Sequence, residues 1–543
     1  SLNSLFSKWS IASWPRGDAL HDGEVAVWRF AAELARDFDL ATISRVGVSV
    51  NPDNLDETVV TLELPRFLLS EADHAKGDAA ELFNQAVAEV VGELKAKVVG
   101  DFAQRLFTVR SAFANVKSLS RNGEDELVVR FDKLSEGLRA FLTVLLSDMP
   151  RQLTSETNVL LRSEAYFQRD IHGILRSFPF EDTVNYFGFL VIIHLAPFLS
   201  HDMRSLRNLF ADTVLGHTLG DVAADTPFLC TWLIDQVLPD CVAKAIGMWR
   251  HSEGRDVVTR EWLDQLEMVF LKRVTDLPWI GELSALLVRY RLKRRSTIQV
   301  GPSMKLDCAR GLTPAGSNPI LVFWNVSKQR QYKTLRGLSM RGHRLRNRVW
   351  GSGHTDLSVE ASFRRDFQMV HVPAAIFNDS VPTGSSIFIF QLARVAVRFY
   401  RALAQFLHEN SYEREAPLSF AEDYGHRLAE ILDCITEQAL DPGALLSARA
   451  ILDRTTALLM AVNAFDQLLP IHRIWRLDLR LENLPDVTAH QLFFIYFALD
   501  NCESRDPAFH HGRISAKQAV NVPLKHLSQF AEAFKCSPGA PMA

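Results

Sequence analysis

Apolar residues recur at three- and four-residue steps along most of this 543-residue chain, and that period constrains its fold more than any other feature. Ala79–Val98, Leu138–Leu146, Thr183–Leu199, Phe228–Met248 and Trp262–Val274 all show it. Such spacing places one apolar stripe along a helix. Asp182 and Thr183 are the N-cap candidates for the third of these helices. Alternating runs at Val46–Val50, Thr58–Leu64 and Leu127–Phe131 predict short strands. A chain of this length outgrows a single core, so the expected fold is mainly α and built in two lobes. The 35 Phe against 27 Gly and 22 Pro agree with a large helical core and few hairpins.

Composition narrows the partners. A net charge of −4, with 47% hydrophobic and 23% charged residues, gives no global affinity for nucleic acid or an anionic membrane. The most apolar run, Phe187–Leu199, is too short to span a bilayer and is interrupted by His194 and Pro197, so it reads as a buried helix. No basic stretch followed by an apolar one opens the chain at Ser1, so a leader or anchor is either removed or outside it.

Six cysteines are too sparse for a disulfide scaffold, and no C-x-x-C occurs. Cys230 and Cys241 flank Leu238-Pro239, where a helix is expected to end; they read either as a local disulfide or as two buried thiols. Two basic clusters, Arg289 to Arg295 and Arg336 to Arg348, bracket a Gly- and Pro-containing stretch. This reads as an exposed connection, with solvated surface or a patch for an acidic partner as its alternatives. The implied division is a mostly helical N-terminal lobe over 1–290, a basic connecting segment over 291–350 and a C-terminal lobe over 351–543. Asn325-Val326-Ser327 fits the N-glycosylation acceptor pattern.

The last third carries a more specific signal. Gln491-Leu492-Phe493-Phe494-Ile495, Val520-Asn521-Val522-Pro523-Leu524 and Phe530-Ala531-Glu532-Ala533-Phe534-Lys535-Cys536 resemble the closing segment of the neprilysin family of zinc metallopeptidases. Asn185-Tyr186-Phe187, Leu277-Pro278-Trp279-Ile280 and Leu484-Pro485 resemble other segments of that family. So do Val359-Glu360-Ala361-Ser362-Phe363 and Val370-His371-Val372-Pro373-Ala374-Ala375-Ile376, which match its edge strand and the segment after that strand. The resemblance implies a two-lobed ectodomain fold with a short sheet beside the active-site helix, an extracellular setting and a cavity that admits peptides. It also implies that Glu360, Ala361, Ser362, Phe363, Val372, Pro373 and Ala374 line the substrate cleft. Cys434 and Cys536 match half-cystines whose partners are expected outside this chain.

That family needs an H-E-x-x-H helix and a second helix bearing E-N-x-x-D. Two His at i and i+4 share one helix face and reach one zinc, and the Glu between them activates the metal-bound water. The second helix supplies a Glu ligand and an Asp that orients a ligand His. Here the resemblance puts the first helix at about Ile387–Leu407, where Arg398, Phe399 and Ala402 replace His, Glu and His. The second falls at about Leu445–Leu468, where Arg449 replaces the Glu ligand and Asp453 is retained. Independently of register, no two of the 17 His residues lie three or four apart, and Tyr412 follows the lone His408-Glu409 step where a second His is required.

Arginine stays protonated and offers no lone pair. A +2 ion about 4 Å from one guanidinium loses about 8 kcal/mol at an effective dielectric of 20. Ala519 stands where the family has an Arg, and Arg513 where it has its transition-state His, with His510 and His511 nearby but out of register. Arg394, Arg398 and Arg401 form a stripe at i, i+4 and i+7 that is either a solvated face or, on so apolar a helix, a buried Arg–Asp network with Asp453 as its expected acid. The expectation is a catalytically inactive family homologue without zinc or another cofactor, binding peptides or a protein partner as a scaffold or decoy. The alternative is an active zinc endopeptidase with a non-standard ligand set. A surface protein with a closed cavity is a third possibility.

Overall fold

The structure, a computed structural model, describes residues 14–15, 23–65, 78–98, 100–114, 126–150, 153–205, 230–231, 234–235, 238–252, 255–294, 297–300, 318–342, 345, 359–364, 367, 369–377, 387–408, 418–438, 444–474, 484–502, 514–537, 539–540 and 542. Arg513, His510 and His511 lie outside the described residues. The principal elements of the first half are α1 (Gly23–Phe38), β1 (Arg45–Asn51), β2 (Asn54–Glu63), α2 (Asp78–Glu93), α3 (Phe102–Ala114), β3 (Glu126–Arg130), α4 (Glu136–Leu145), β4 (Asn158–Arg162), α5 (Phe180–Leu195), α6 (Pro239–Ser252) and α7 (Arg255–Arg273). There follow α8 (Glu282–Arg294), β5 (Thr297–Val300), α9 (Pro319–Leu335), β6 (Ser362–Arg364), β7 (Met369–Val372), α10 (Val397–His408), α11 (Leu418–Gln438), α12 (Ala444–Ile474), α13 (Ala489–Asp500), α14 (Ala516–Lys525) and α15 (Ser528–Phe534).

The fold is mainly α with two small sheets, and it divides into two compact units. One comprises Ser1–Leu238 and Ala309–Ser352, the other Pro239–Cys308 and Gly353–Ala543. This differs from a linear division at 290 and 350. The physical reason is that α7 packs on α12 and β5 pairs with β7, while α9 packs on α1. The segment 291–350 is therefore divided between the two units, its first part with the second unit and the rest with the first. Asn325 lies inside α9, where its Oδ1 accepts from Gln329 Nε2 at 3.3 Å.

In the first unit the sheet order is β1-β2-β4-β3. The β1–β2 hairpin turns at Asn51, whose Oδ1 accepts from the Asp53 N–H at 2.9 Å, an Asx turn. The Val residues of β1 alternate inward, as the period-2 pattern requires. The central β4, Asn-Val-Leu-Leu-Arg, has no alternation because it is paired on both edges and buried across its middle, so periodicity alone does not reveal it. Helix α5 begins at Phe180, earlier than expected, with Pro179 as its N-cap residue, so Asp182 and Thr183 fall within its first turns. It gives way at Leu195 to a 3₁₀ turn containing Pro197. No described helix is long and apolar enough to cross a membrane.

One carboxylate ties three elements of this unit together. Glu24, in the first turn of α1, meets His172 Nδ1 at 2.5 Å and accepts from Arg176 Nε at 2.9 Å and Trp28 Nε1 at 3.2 Å. The other ring nitrogen of His172 lies 2.9 Å from Ser135 Oγ, the N-cap of α4. Trp28, fully buried, covers the start of α4 so closely that a Cβ on Gly137 would sit 2.2 Å from its Nε1. Burial pushes the Glu24 carboxyl up, but the hydrogen bonds from His172, Arg176 and Trp28 outweigh it and hold the group below its ordinary value. A carboxylate with a depressed folded value contributes stability that is complete above its unfolded value and lost as pH falls through the folded one.

Two outcomes are expected. Gly137→Ala lowers stability by about 1–3 kcal/mol because Trp28 has no room to move. Glu24→Gln flattens the loss of stability in mild acid. Denaturant titrations at neutral and acid pH check both; an unchanged acid limb in Glu24→Gln contradicts the second.

In the second unit α12 is the axis. Most of its apolar residues from Ala448 to Phe465 are buried, and α7, α10, α11 and α14 pack around it. The three-stranded sheet has the order β5-β7-β6, with β5 and β7 parallel and β6 antiparallel at the edge. It lies beside α10, where Gln405 Oε1 accepts from the Phe363 N–H at 3.1 Å and the rings of Phe363 and Phe406 meet edge to face.

Candidate functional site

Helical backbone is continuous from Ile387 to His408, with a π-helical turn at Leu392–Ala396 before α10 begins. Such turns occur mostly as local insertions in α-helices, often at functional sites. Nearly every apolar residue on this helix is buried. Tyr400 is fully enclosed, donating its hydroxyl to the Leu266 carbonyl at 2.9 Å and stacking on Phe270. Phe399 and Ala402, two of the positions that the resemblance aligns with the metal-binding motif, are likewise fully buried in the core.

Arg394, Arg398 and Arg401 share the remaining face, and it is not a solvated stripe. Arg398 is 11% exposed and Arg401 18%. Asp500, the last residue of α13, receives Arg398 Nη2 at 2.8 Å and lies 3.1 Å from Arg394 Nε. Glu360, just before β6, receives Arg401 Nη2 and lies 3.8 Å from Arg398 Nε. A guanidinium–carboxylate network therefore does form on this face. Its acids are Asp500 and Glu360, rather than Asp453 as the partner of Arg398. Asp453 sits on α12 within electrostatic range of Arg454, which donates to Asn501 Oδ1 at 2.9 Å. Arg449 lies one turn before Asp453 on the same helix.

Burial dominates the electrostatics. It pushes the Arg398 guanidinium below its ordinary value, helped by Arg394 and Arg401 and opposed by Asp500 and Glu360. It pushes the Asp500 carboxyl up, opposed chiefly by Arg398 and Arg394. Arg454 is likewise lowered by burial, then by its charged neighbour Arg401. Both members of the central pair thus carry a desolvation cost that their attraction has to offset.

Among the other cleft candidates, Ala361, Val372, Pro373 and Ala374 are buried, and Ser362 and Phe363 are half-buried on the edge strand. The Glu360 side chain is half-exposed, at 43%. Asp500 was not legible as a site residue from the motif, since it belongs to neither motif helix. A signal existed: it is a lone acid closing an otherwise strongly apolar helix. Cys230 and Cys241 form no disulfide. They fall in different compact units, with Cys241 in the first turn of the helix that Pro239 opens.

These residues do not fit a zinc ion. Arg398, Ala402 and Arg449 offer no lone pair, and the two carboxylates at the centre already accept from guanidiniums. No group of three or more His, Cys, Asp or Glu side chains converges among the described residues.

The chain matches peptidase family M13 over residues 7–285, through the family's N-terminal domain, and over 451–543, through its peptidase domain. It belongs to that family, which includes zinc metallopeptidases of the neprilysin type. The fold is shared with solved structures of low sequence identity. PepO from Lactobacillus rhamnosis HN001 superposes with a TM-score of 0.74 at 14% identity, over 96% of this chain and 83% of that one. The zinc metalloprotease Zmp1 of Mycobacterium tuberculosis, solved with an inhibitor, gives 0.72 at 14% identity, over 95% and 81%. A Haemonchus galactose-containing glycoprotein complex gives 0.69 at 15% identity, over 99% and 84%. No curated protein sequence matches the chain.

The network makes a prediction about stability. Arg398→Ala leaves Asp500 buried with Arg394 alone and is expected to cost about 3 kcal/mol, the lower end for breaking a buried pair. Arg394→Met and Arg398→Met combined with Asp500→Leu remove the carboxylate together with both of its guanidiniums and are expected to fall within about 1 kcal/mol of the parent. Chemical denaturation of the three proteins decides it; a triple variant worse than the single one contradicts the assignment.

Proposed function

We propose that this chain is a catalytically inactive member of peptidase family M13 that acts by binding, as a scaffold or decoy for a peptide or protein in an extracellular setting. The observation that carries this reading is the pairing of Arg398 with Asp500 and Glu360 on the helix assigned to the metal. Three requirements of the hydrolytic reaction are affected. The ligand positions carry guanidinium or methyl groups, the general-base position carries the buried phenyl ring of Phe399, and the nearby acids serve as counter-ions. An active enzyme would need a ligand set of another kind.

The peptide-binding part rests on the family fold and on the retained edge strand, β6, whose outer side carries no paired strand among the described residues. Extended peptides add to such edges through main-chain hydrogen bonds. The cleft residues proposed for this contact are Glu360, Ser362 and Phe363.

A broad peptide-cleavage screen, run with added zinc and with a chelator control, tests the reading. No chelator-sensitive cleavage is expected at any site, while thermal-shift screening against the same peptides is expected to return binders. Chelator-sensitive turnover would establish the active-enzyme alternative. A uniformly silent binding screen would favour a surface protein with a closed cavity.

A further inference from the structure

Away from the arginine face, the first unit holds a serine, a histidine and a carboxylate within hydrogen-bond reach of one another. Ser135 Oγ lies 2.9 Å from His172 Nε2, and His172 Nδ1 lies 2.5 Å from Glu24 Oε1. Three elements bring them together. Glu24 stands in the first turn of α1, Ser135 caps α4, and His172 is on the short helix Ile171–Arg176. That short helix follows a π-helical turn at Tyr166–Asp170, and Ser163 just before it has a φ of 94°. Both features cluster at functional sites.

The acid sets the direction of the protons. Glu24 also accepts from Arg176 Nε at 2.9 Å and from Trp28 Nε1 at 3.2 Å. Burial raises its carboxyl, and the bonds from His172, Arg176 and Trp28 outweigh that rise, so it is an anion that can only accept. Nδ1 of His172 therefore carries the proton. In the neutral ring Nε2 is then the acceptor, and the Ser135 hydroxyl donates to it. The Leu138 N–H donates to the same serine oxygen at 3.4 Å, which leaves the hydroxyl proton for the imidazole. Trp28, fully buried, packs against that ring with centroids 5.4 Å apart and holds its orientation. A base that holds a serine proton, oriented by an acid on its far nitrogen, is the arrangement that activates a serine.

We infer that Ser135 is a nucleophile, activated by His172 and Glu24, that takes an acyl group from a short-chain carboxylic ester and passes it to water. Oγ attacks the ester carbonyl carbon, and its proton goes to Nε2. Collapse of the tetrahedral adduct breaks the ester C–O bond, and Nε2 gives the proton to the leaving alcohol. Water then attacks the acyl-serine and gives a proton to Nε2. Release of the carboxylic acid returns that proton to the Ser135 oxygen. The first N–H groups of α4 follow Ser135 directly and have no acceptor within the helix, so donors for an oxyanion adjoin the nucleophile.

The surroundings select a small substrate. The His172 side chain is 15% exposed and Ser135 is half-buried. Gly173, beside His172, is exposed, and a Cβ added there would meet nothing within 4 Å. This fits a compact ester presented from solvent. The inference concerns the first unit, routes no step through a metal and stands apart from the binding role proposed above.

The test uses the full chain with a fluorophosphonate probe and with 4-nitrophenyl acetate, each with and without a chelator. The folded protein is expected to take up about one equivalent of probe, indifferent to the chelator and about 100-fold or more faster than the urea-denatured chain, the contribution of one general base. Peptide mapping is expected to place the adduct on Ser135. The acetate is expected to give a burst of nitrophenolate and then slower turnover. Ser135→Asn keeps an N-cap of similar strength and removes the hydroxyl. It is expected to unfold at about the parental temperature and to lose both adduct and burst. His172→Gln is expected to slow labelling about 100-fold. A hydroxyl that served only as a cap would react no faster folded than denatured. That result, an adduct on another residue, or a burst surviving in Ser135→Asn would overturn the inference, as would ester hydrolysis that the chelator abolishes. The comparison of folded with denatured parent stands even where a variant does not fold.

Discussion

Two guanidiniums on one carboxylate, Arg398 at 2.8 Å and Arg394 at 3.1 Å from Asp500, decide what the centre of the C-terminal unit can hold. A divalent cation and a guanidinium compete for the same acids and repel each other at contact distance. Once Asp500 and Glu360 are engaged by arginines, neither is available as a metal ligand. The arginines are equally bound: an isolated guanidinium so deeply buried would be untenable without these acids. The site is therefore a matched set in which no single member can be replaced without stranding another.

The surrounding packing explains why such a costly set persists without disturbing the fold. Helix α12 is buried on most sides, Phe399 and Ala402 are part of its core contact, and Tyr400 is anchored to the Leu266 carbonyl. The apolar frame that positions the two helices is thus separate from the polar face that carries the arginines. Buried ion pairs contribute little net stability, so the frame, not the network, holds this unit together. What the network contributes is charge at a defined place.

Much of this was legible in the sequence. The resemblance places one helix at about Ile387–Leu407, and the structure has helical backbone from Ile387 to His408; it places the second at about Leu445–Leu468, and α12 starts at Ala444 but runs on through Pro470 to Ile474. The arginine stripe was visible too, and its burial followed from the apolar residues between the arginines. Three things were not legible. Asp500 comes from a helix without a motif, and only the fold brings its C-terminal end to Arg398. Strand β4 lacks alternation because it is central and enclosed. The division of the chain failed at 290 and 350 because a parallel pairing, β5 with β7, and the docking of α9 on α1 are long-range choices that local composition does not encode.

The most direct measurement is a crystal structure of the protein grown with added zinc, with diffraction recorded on both sides of the zinc absorption edge. The account expects continuous density from Arg398 to Asp500 and to Glu360, and no anomalous peak between the helix Ile387–His408 and α12. A full-occupancy peak there, with tetrahedral ligands drawn from the chain, would contradict it.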